Sequence, residues 1–202
     1  MENKAGFEEL LKGSAQEHGH ICPGQVIGVR MALLGLDLIG LKDPKKTRDI
    51  KKIIVYVEID RCATDAISYV TGVKLGRRSL KFKDYGIMAA TFINLETNKA
   101  FRVLSTEKSR DTAAKYSPEI IDIHARQLEA YKIMPLSELF EVTEVEVDIK
   151  DSDMPGPSKY KATCEKCGIV VRDGKEVIVE NHIYCNYCAD YAYYKVVKSL
   201  EV

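Results

Sequence analysis

The chain has 202 residues, of which 46% are hydrophobic, and its 30 Lys and Arg residues balance its 30 Asp and Glu residues. This length suits one medium-sized domain with a small appendage, and the charge balance argues against a nucleic-acid or membrane partner. The first residues lack an apolar signal-peptide core, and no apolar run reaches the roughly 20 residues of a bilayer span. We therefore predict a cytoplasmic protein, in which cysteines are expected to be thiols or metal ligands.

Hydrophobic periodicity predicts an α+β core domain over residues 1–150, built from helices and an antiparallel sheet. Helices are expected at 6–17, 23–38, 61–71, 107–116 and 118–133, and strands at 52–59, 80–84, 86–95, 100–105 and 140–150. Asp60 and Ser117 are the expected N-caps of two of these helices, and Gly72 the expected C-terminal stop of one. Gly28 and Gly35 lie seven residues apart on the second helix, which predicts close approach of another backbone.

A small zinc-binding unit is predicted at the C-terminus. Residues 151–160 contain two prolines and a glycine with few apolar residues, which is typical of a linker. Residues 161–202 are expected to form a zinc ribbon followed by a tyrosine-rich C-terminal helix. Its ligands would be two C-x2-C pairs, Cys164 with Cys167 and Cys185 with Cys188, a spacing typical of structural zinc. The alternative is four free thiols or two redox pairs.

Between the two cysteine pairs, the segment 169–179 has apolar residues on both sides of Asp173-Gly174, which predicts one hairpin with its turn at that dipeptide. Zinc ribbons often bind nucleic acid or protein. Basic and acidic residues are nearly balanced from Ser158 onward, which disfavours nucleic-acid binding. The amphipathic tail favours docking onto the core or another subunit instead.

The segment His18-Gly-His20-Ile-Cys22 is the strongest candidate for chemistry in the core. If the backbone is extended, residues two apart share one side, and Pro23 biases Cys22 toward an extended conformation. Imidazole and thiolate groups suit zinc or a similar divalent metal, so a second metal could lie in the core. The N-terminus of the following helix would favour a Cys22 thiolate, which is also consistent with a nucleophile. A buried structural role for each cysteine remains the alternative.

Cys62 is expected at the start of another helix, so Cys22 and Cys62 could face each other across a cleft. We take Cys22, Cys62, His20 and Asp65 as the candidate catalytic set, and His18, His20, Cys22 and Cys62 as the candidate core metal ligands. A basic segment with glycines follows, and Lys74, Arg77 and Arg78 are candidates to bind an anionic ligand. The alternative for this segment is a solvated basic turn.

Three segments of the core resemble the FmdE family, named after a component of formylmethanofuran dehydrogenase: HGHICPGQVIGVRMA, EIDRCATDAISYVTGVKLGRRSL and DYGIMAA. The resemblance covers about His18 to Ala90, and the appended zinc ribbon is also found in that family. It implies an α+β core, a tight homodimer and a Cys/His metal or active site at His20, Cys22 and Cys62. Many members carry a cysteine where this chain has Val73, which makes a redox dithiol mechanism less favoured here.

The family name implies association with a larger molybdenum or tungsten oxidoreductase complex in one-carbon metabolism. This sequence has no iron–sulfur cysteine run and no molybdopterin signature, so it is not expected to perform that chemistry alone. The leading hypothesis is a homodimeric metal-binding protein, either an enzyme or an accessory subunit, acting on a small anionic or cofactor-like ligand. The alternative is a non-catalytic interaction module that docks a partner through its zinc ribbon.

Overall fold

A computed structural model describes residues 4–46 and 48–200 of the chain. The chain separates into two compact units, Met1–Asp148 and Ile149–Val202, close to the boundary expected at the linker. Within the described residues, no helix combines the length and apolar character needed to cross a membrane.

The core unit contains both helices and strands, which confirms the predicted α+β class. Its helices are α1 (Lys4–His18), α2 (Pro23–Leu38), α3 (Cys62–Thr71), α4 (Lys108–Tyr116), α5 (Ile123–Ile133) and α6 (Leu136–Leu139). Its strands are β1 (Ile53–Val57), β2 (Leu80–Phe82), β3 (Ala89–Asn94), β4 (Ala100–Ser105) and β5 (Phe140–Glu144).

These five strands form one sheet in the order β2-β1-β3-β4-β5. Pairing is antiparallel except between β1 and β2, which run parallel because α3 connects them and returns the chain to the same end of the sheet. Every residue of β3 is buried, as expected for the central strand of the sheet. The N-terminus of α3 follows the end of β1 after a short connection, and this places Cys62 at that end of the sheet.

Helix α2 lies at the centre of the core and contacts α1, α3, α5 and strands β3 and β4. Gly28 allows α3 to approach, because a Cβ there would lie 2.5 Å from the Ala63 carbonyl oxygen. This confirms the predicted backbone contact. Gly35 faces the ring of Phe92 instead, which would clash with any Cβ at that position, so its neighbour is a side chain. Both glycines are explained within one chain and give no support to a dimer interface.

Arg30 is a buried charge in the middle of α2, only 5% exposed. Its Nη1 atom donates hydrogen bonds to the carbonyl oxygens of Tyr131 and Met134, at 2.7 and 2.6 Å. These carbonyls lie at the C-terminus of α5, where the last turn of a helix leaves acceptors without helical partners. The guanidinium group therefore joins α2 to the end of α5.

Two helix starts differ from the sequence predictions. Arg61, not Asp60, is the N-cap residue of α3, and α5 begins at Ile123, five residues later than expected. Asp122 caps α5 by accepting a hydrogen bond from the Ala125 backbone N–H at 2.7 Å. Carboxylates are strong N-caps, and here Asp122 prevailed over Ser117. Gly72 ends α3 in the left-handed conformation, as predicted.

The C-terminal unit contains two short hairpins, β6 (Lys161–Thr163) with β7 (Val170–Arg172) and β8 (Val177–Val179) with β9 (His182–Tyr184). The single hairpin expected around Asp173-Gly174 is therefore wrong. Strand β7 pairs backward across the first cysteine pair, and β8 pairs forward across a turn at Glu180-Asn181, both with positive φ. Two such residues match the mirror-image turns that suit tight hairpins.

The predicted C-terminal helix is also wrong for the described part of the tail, since residues 190–200 contain no helix. Tyr193 and Val197 are each 98% exposed. An isolated segment of this length is a marginal helix in water unless its apolar face packs on something. The tail keeps local aromatic contacts instead, with the Tyr187 and Tyr194 rings stacked at 5.6 Å.

Candidate metal centres

The four cysteines of the C-terminal unit converge on one point. The sulfur atoms of Cys164, Cys167, Cys185 and Cys188 all lie within 4.8 Å of one another. Cys167 Sγ and Cys185 Sγ are 3.7 Å apart. A zinc ion with bonds of about 2.3 Å to four sulfurs in a tetrahedron requires a separation of about 3.8 Å between them. The geometry therefore fits a metal such as zinc.

Each cysteine pair sits in a tight turn made by the backbone. In the first, the Gly168 N–H donates to the Cys164 carbonyl oxygen at 2.9 Å, with Gly168 in the left-handed region. In the second, the Ala189 N–H donates to the Cys185 carbonyl oxygen at 3.1 Å. These turns are local, which is why the C-x2-C spacing alone could predict them.

The four thiols of this cluster cannot all ionise without a cation. Burial acts against a Cys164 thiolate, but backbone N–H groups of the cluster outweigh it and lower the pKa of Cys164 to about 6. Burial and the three neighbouring sulfurs raise the pKa of Cys188 to about 12. A divalent cation would relieve this conflict, because its positive charge stabilises the thiolate form of each ligand.

A second cluster lies in the core unit, where ligand atoms of His18, His20 and Cys22 are within 4.8 Å of one another. The segment is not extended throughout, which differs from the backbone considered for it above. His18 is the last residue of α1, Gly19 turns the chain with φ +98, and Cys22 is the extended N-cap residue of α2. The turn at Gly19 brings the two imidazoles together, with ring centroids 4.7 Å apart.

His18 is held in one orientation by Asp65 from the first turn of α3. The Nδ1–H group donates to Asp65 Oδ2 at 2.8 Å, because an ionised carboxylate can only accept. In neutral His18, the lone pair is then on Nε2. Among the described residues, this buried Nε2 atom has no hydrogen-bond partner. A carboxylate–histidine pair with a free second nitrogen is the arrangement that metal-binding histidines adopt.

Cys62 lies beside this cluster and belongs to the first turn of α3. Burial, followed by the hydrogen bond and charge of the Cys22 thiol, raises the pKa of Cys62. Gly24 leaves room for both groups, since a Cβ there would lie 2.9 Å from Cys62 Cβ and 3.7 Å from Cys22 Sγ. The structure therefore brings together all of His18, His20, Cys22, Cys62 and Asp65.

Sequence reasoning missed Gln25, which is fully buried beneath this cluster. Its Nε2 atom donates to the Cys62 carbonyl oxygen at 2.7 Å, and its Oε1 atom accepts from the Ser14 hydroxyl. One side chain thus joins α1, α2 and α3 at the level of the site. A polar residue among the apolar positions at the start of α2 was the only sequence signal for it.

The candidate anion-binding residues are divided by the structure. Lys74 and Arg77 line one pocket, where Lys74 Nζ pairs with Glu17 Oε1 at 2.9 Å. Arg78, in the left-handed conformation after a short 3-10 turn, is not among the residues that line it. Val73, where many relatives carry cysteine, is fully buried in the hydrophobic core.

Comparison with known proteins supports the resemblance noted in the sequence. A structure described as a tungsten formylmethanofuran dehydrogenase FmdE-like protein from Syntrophus aciditrophicus superposes with a TM-score of 0.60. The identity is 18%, over 94% of this chain and 95% of the other. At this identity the likeness concerns the fold.

A protein from Archaeoglobus fulgidus named as a probable S-adenosyl-L-methionine-binding protein is 29% identical over 93% of this chain. The chain spans about half the length of this curated relative, 54% of it. The profile of the family described as FmdE, Molybdenum formylmethanofuran dehydrogenase operon, matches residues 17–141. This range covers more than half of the chain and contains the whole core cluster, and it shows that the chain belongs to the FmdE family.

Proposed function

We propose that this protein is a metal-dependent member of the FmdE family, with a functional metal held in the core and a structural zinc in the C-terminal unit. The observation that carries the proposal is the buried His18 Nε2 atom, which has no partner among the described residues while Asp65 holds the other ring nitrogen. Leaving a buried polar atom unsatisfied costs about 1–3 kcal/mol, so a bound metal explains the arrangement better than packing does.

The proposed ligands are His18, His20 and Cys22, with Cys62 or a small molecule at a fourth position. Two imidazoles and a thiolate suit zinc and the later divalent transition metals. His20 is exposed and Cys22 half-buried, so the site opens to solvent. Catalytic zinc sites have three protein ligands and one exchangeable position, whereas structural sites have four protein ligands. An exchangeable position would let the core metal bind or polarise a substrate.

The ligand of this site is proposed to be a small anionic or cofactor-like molecule of one-carbon metabolism. The name of the Archaeoglobus fulgidus relative, a probable S-adenosyl-L-methionine-binding protein, supports a small cofactor-like ligand. The family name supports association with a larger oxidoreductase complex, either as an accessory subunit or as an enzyme beside it. We also propose a cytoplasmic homodimer, for which light scattering of the full chain is the direct measurement.

Elemental analysis of the purified full chain tests the metal proposal. The unmodified chain should bind about two metal ions, one at each cysteine cluster. Cys22→Ser should lose the core metal and retain the C-terminal zinc, and Cys164→Ser should do the reverse. Cys62→Ser decides the fourth ligand, because the core metal is retained if Cys62 is not a ligand.

Cobalt substitution gives an independent readout of the same core site. Cobalt bound by Cys22 would show thiolate-to-metal charge-transfer absorption, which should disappear in Cys22→Ser. His124→Ala is a matched control, since this exposed histidine lies outside both clusters. A chain that binds one metal in every form except Cys164→Ser would refute the core site and leave only the zinc-binding unit.

A second candidate function is a protein-interaction module, supported by the exposed apolar tail. Tyr193 and Val197 are almost fully exposed, and the side chains of Tyr191 and Leu200 are exposed as well. Such residues clustered on one short segment are typical of a docking surface. Replacing Tyr193 and Val197 with serine should weaken association with a partner complex while leaving both metals bound. Loss of metal in that variant would contradict this separation of roles.

A further inference from the structure

We infer that a basic pocket beside the core cluster binds the phosphate group of a small ligand. The pocket lies between the end of α1, the loop before β1 and the turn that follows α3, and it has a volume of about 310 Å³. It is lined by Glu17, Lys45, Ile50, Ser68, Tyr69, Gly72, Lys74 and Arg77. Only Lys74 and Arg77 of these were suspected from the sequence.

The charges that line the pocket do not balance. Three cationic side chains, Lys45, Lys74 and Arg77, meet one carboxylate, Glu17. Lys74 Nζ is paired with Glu17 at 2.9 Å. The Arg77 Nη1 atom donates to the Gly72 carbonyl oxygen at a long 3.5 Å. The lining therefore carries two positive charges in excess, which matches the charge of a phosphate monoester near neutral pH.

Lys45 is the member of the pocket that most needs an anion. Its Nζ atom lies 4.3 Å from the centroid of the Tyr69 ring. Burial lowers the pKa of Lys45, and the cations Lys46 and Lys74 lower it further, against the opposing carboxylates Asp43 and Glu17. Asp43 is itself paired with Lys46 Nζ at 3.0 Å. A phosphate in the pocket would supply the negative charge that these neighbours do not.

Gly72 makes the pocket possible in two ways. Its φ of +79 is a conformation that side-chain-bearing residues rarely adopt, and it turns the chain away from α3. A Cβ at this position would also lie 2.6 Å from Lys45 Cγ and 3.1 Å from Ile50 Cδ1. The absence of a side chain therefore allows the Lys45 stem to lie over the end of α3.

The donor set favours phosphate over a single carboxylate. A carboxylate carries one charge and is satisfied by one cation, whereas a phosphate group offers three acceptor oxygens and up to two charges. The Ser68 hydroxyl donates to the Val73 carbonyl oxygen at 2.7 Å, so the donors left for a ligand are the cationic groups. The volume is at the lower end for ligand pockets, which fits a small molecule.

The pocket also lies close to the core cluster along the chain and in the fold. Glu17 directly precedes His18, and Tyr69 follows Asp65 by about one helical turn, roughly 5 Å along α3. An anion held here is therefore near the proposed metal. The anion site itself stands on its own lining residues and does not depend on that metal.

The test is isothermal titration of inorganic phosphate into the full chain as purified, with malonate as a carboxylate probe of similar charge. Phosphate should bind saturably, and Lys45→Gln and Arg77→Gln should each weaken it about tenfold, the effect of losing one charge-assisted hydrogen bond. Lys83→Gln is the matched control, because it removes an exposed positive charge from the same basic segment without lining the pocket. It should change the affinity less than about twofold.

His20→Ala separates this inference from the proposed metal site. It should lose the core metal and keep phosphate binding, so the two proposals can fail independently. Circular dichroism of each variant excludes unfolding as the cause of a loss. Absence of saturable phosphate binding, or equal weakening by Lys83→Gln, would overturn the anion site. Malonate binding as tightly as phosphate would overturn the assignment to phosphate.

Discussion

Asp65→Asn offers the sharpest test of how the core cluster is organised. The substitution keeps the shape of the side chain, and an amide oxygen can still accept the His18 Nδ1–H hydrogen bond that Asp65 accepts at 2.8 Å. What is lost is the negative charge, which raises the basicity of the Nε2 atom that would bind the proposed metal. We therefore expect a weaker core metal site in a chain whose fold is unchanged.

The size of the effect follows from the exposure of the two groups. Removing a carboxylate that orients a metal-binding histidine weakens metal affinity by about 10- to 100-fold. The Asp65 side chain is 62% exposed, whereas His18 is 15% exposed, so water already screens part of the interaction. We therefore expect about tenfold weaker binding, which corresponds to about 1.4 kcal/mol.

Competition between the full chain and a chelator for cobalt measures this change, with the Cys22→Ser spectrum subtracted to remove the C-terminal site. Asp60→Asn is the matched control, because it removes an exposed carboxylate from the same connection between β1 and α3. Cobalt affinity within twofold of the unmodified chain in Asp65→Asn would refute the proposed role of Asp65. An equal loss in both variants would show that only the overall charge near the site matters.

Three further outcomes are expected. Cys164→Ser should lose the C-terminal zinc while the core unit unfolds at an unchanged denaturant concentration, and one shared transition shifted to lower concentration would contradict this. Arg30→Met should destabilise the core by about 2–4 kcal/mol in urea unfolding, because two α5 carbonyls lose a charged donor in a buried place; a loss below about 1 kcal/mol would show that water replaces it. Gly28→Ala should cost about 1–3 kcal/mol, although alanine favours helices, because its Cβ would strike the Ala63 carbonyl. A stabilised Gly28→Ala would mean that α2 and α3 separate readily.

Features that depend on neighbouring residues could be determined from the sequence alone. The C-x2-C pairs, the HGHIC segment, Pro23 at the start of α2 and Gly72 at the end of α3 are examples. Each depends on backbone preferences or ligand spacing within a few residues, and these act wherever the segment lies. The α+β class followed in the same way from the period of the apolar residues.

Only the tertiary structure decided which distant groups meet at the core cluster. Asp65 reaches His18 across 47 positions, and Gln25 joins Ser14 to the Cys62 carbonyl. Both contacts arise because α1 and α3 pack against each other and against α2. Local propensity does not account for such packing, so the sequence suggested the ligands without the groups that orient them.

The same reason explains the two errors in the C-terminal unit. Residues 169–179 have the pattern of one hairpin, but each strand found a different partner across a cysteine turn or a tighter loop. The tail has the period of an amphipathic helix, but residues 190–200 are largely exposed and not helical. A periodic pattern shows which face could be buried, whereas the surface that buries it lies elsewhere in the fold or on a partner.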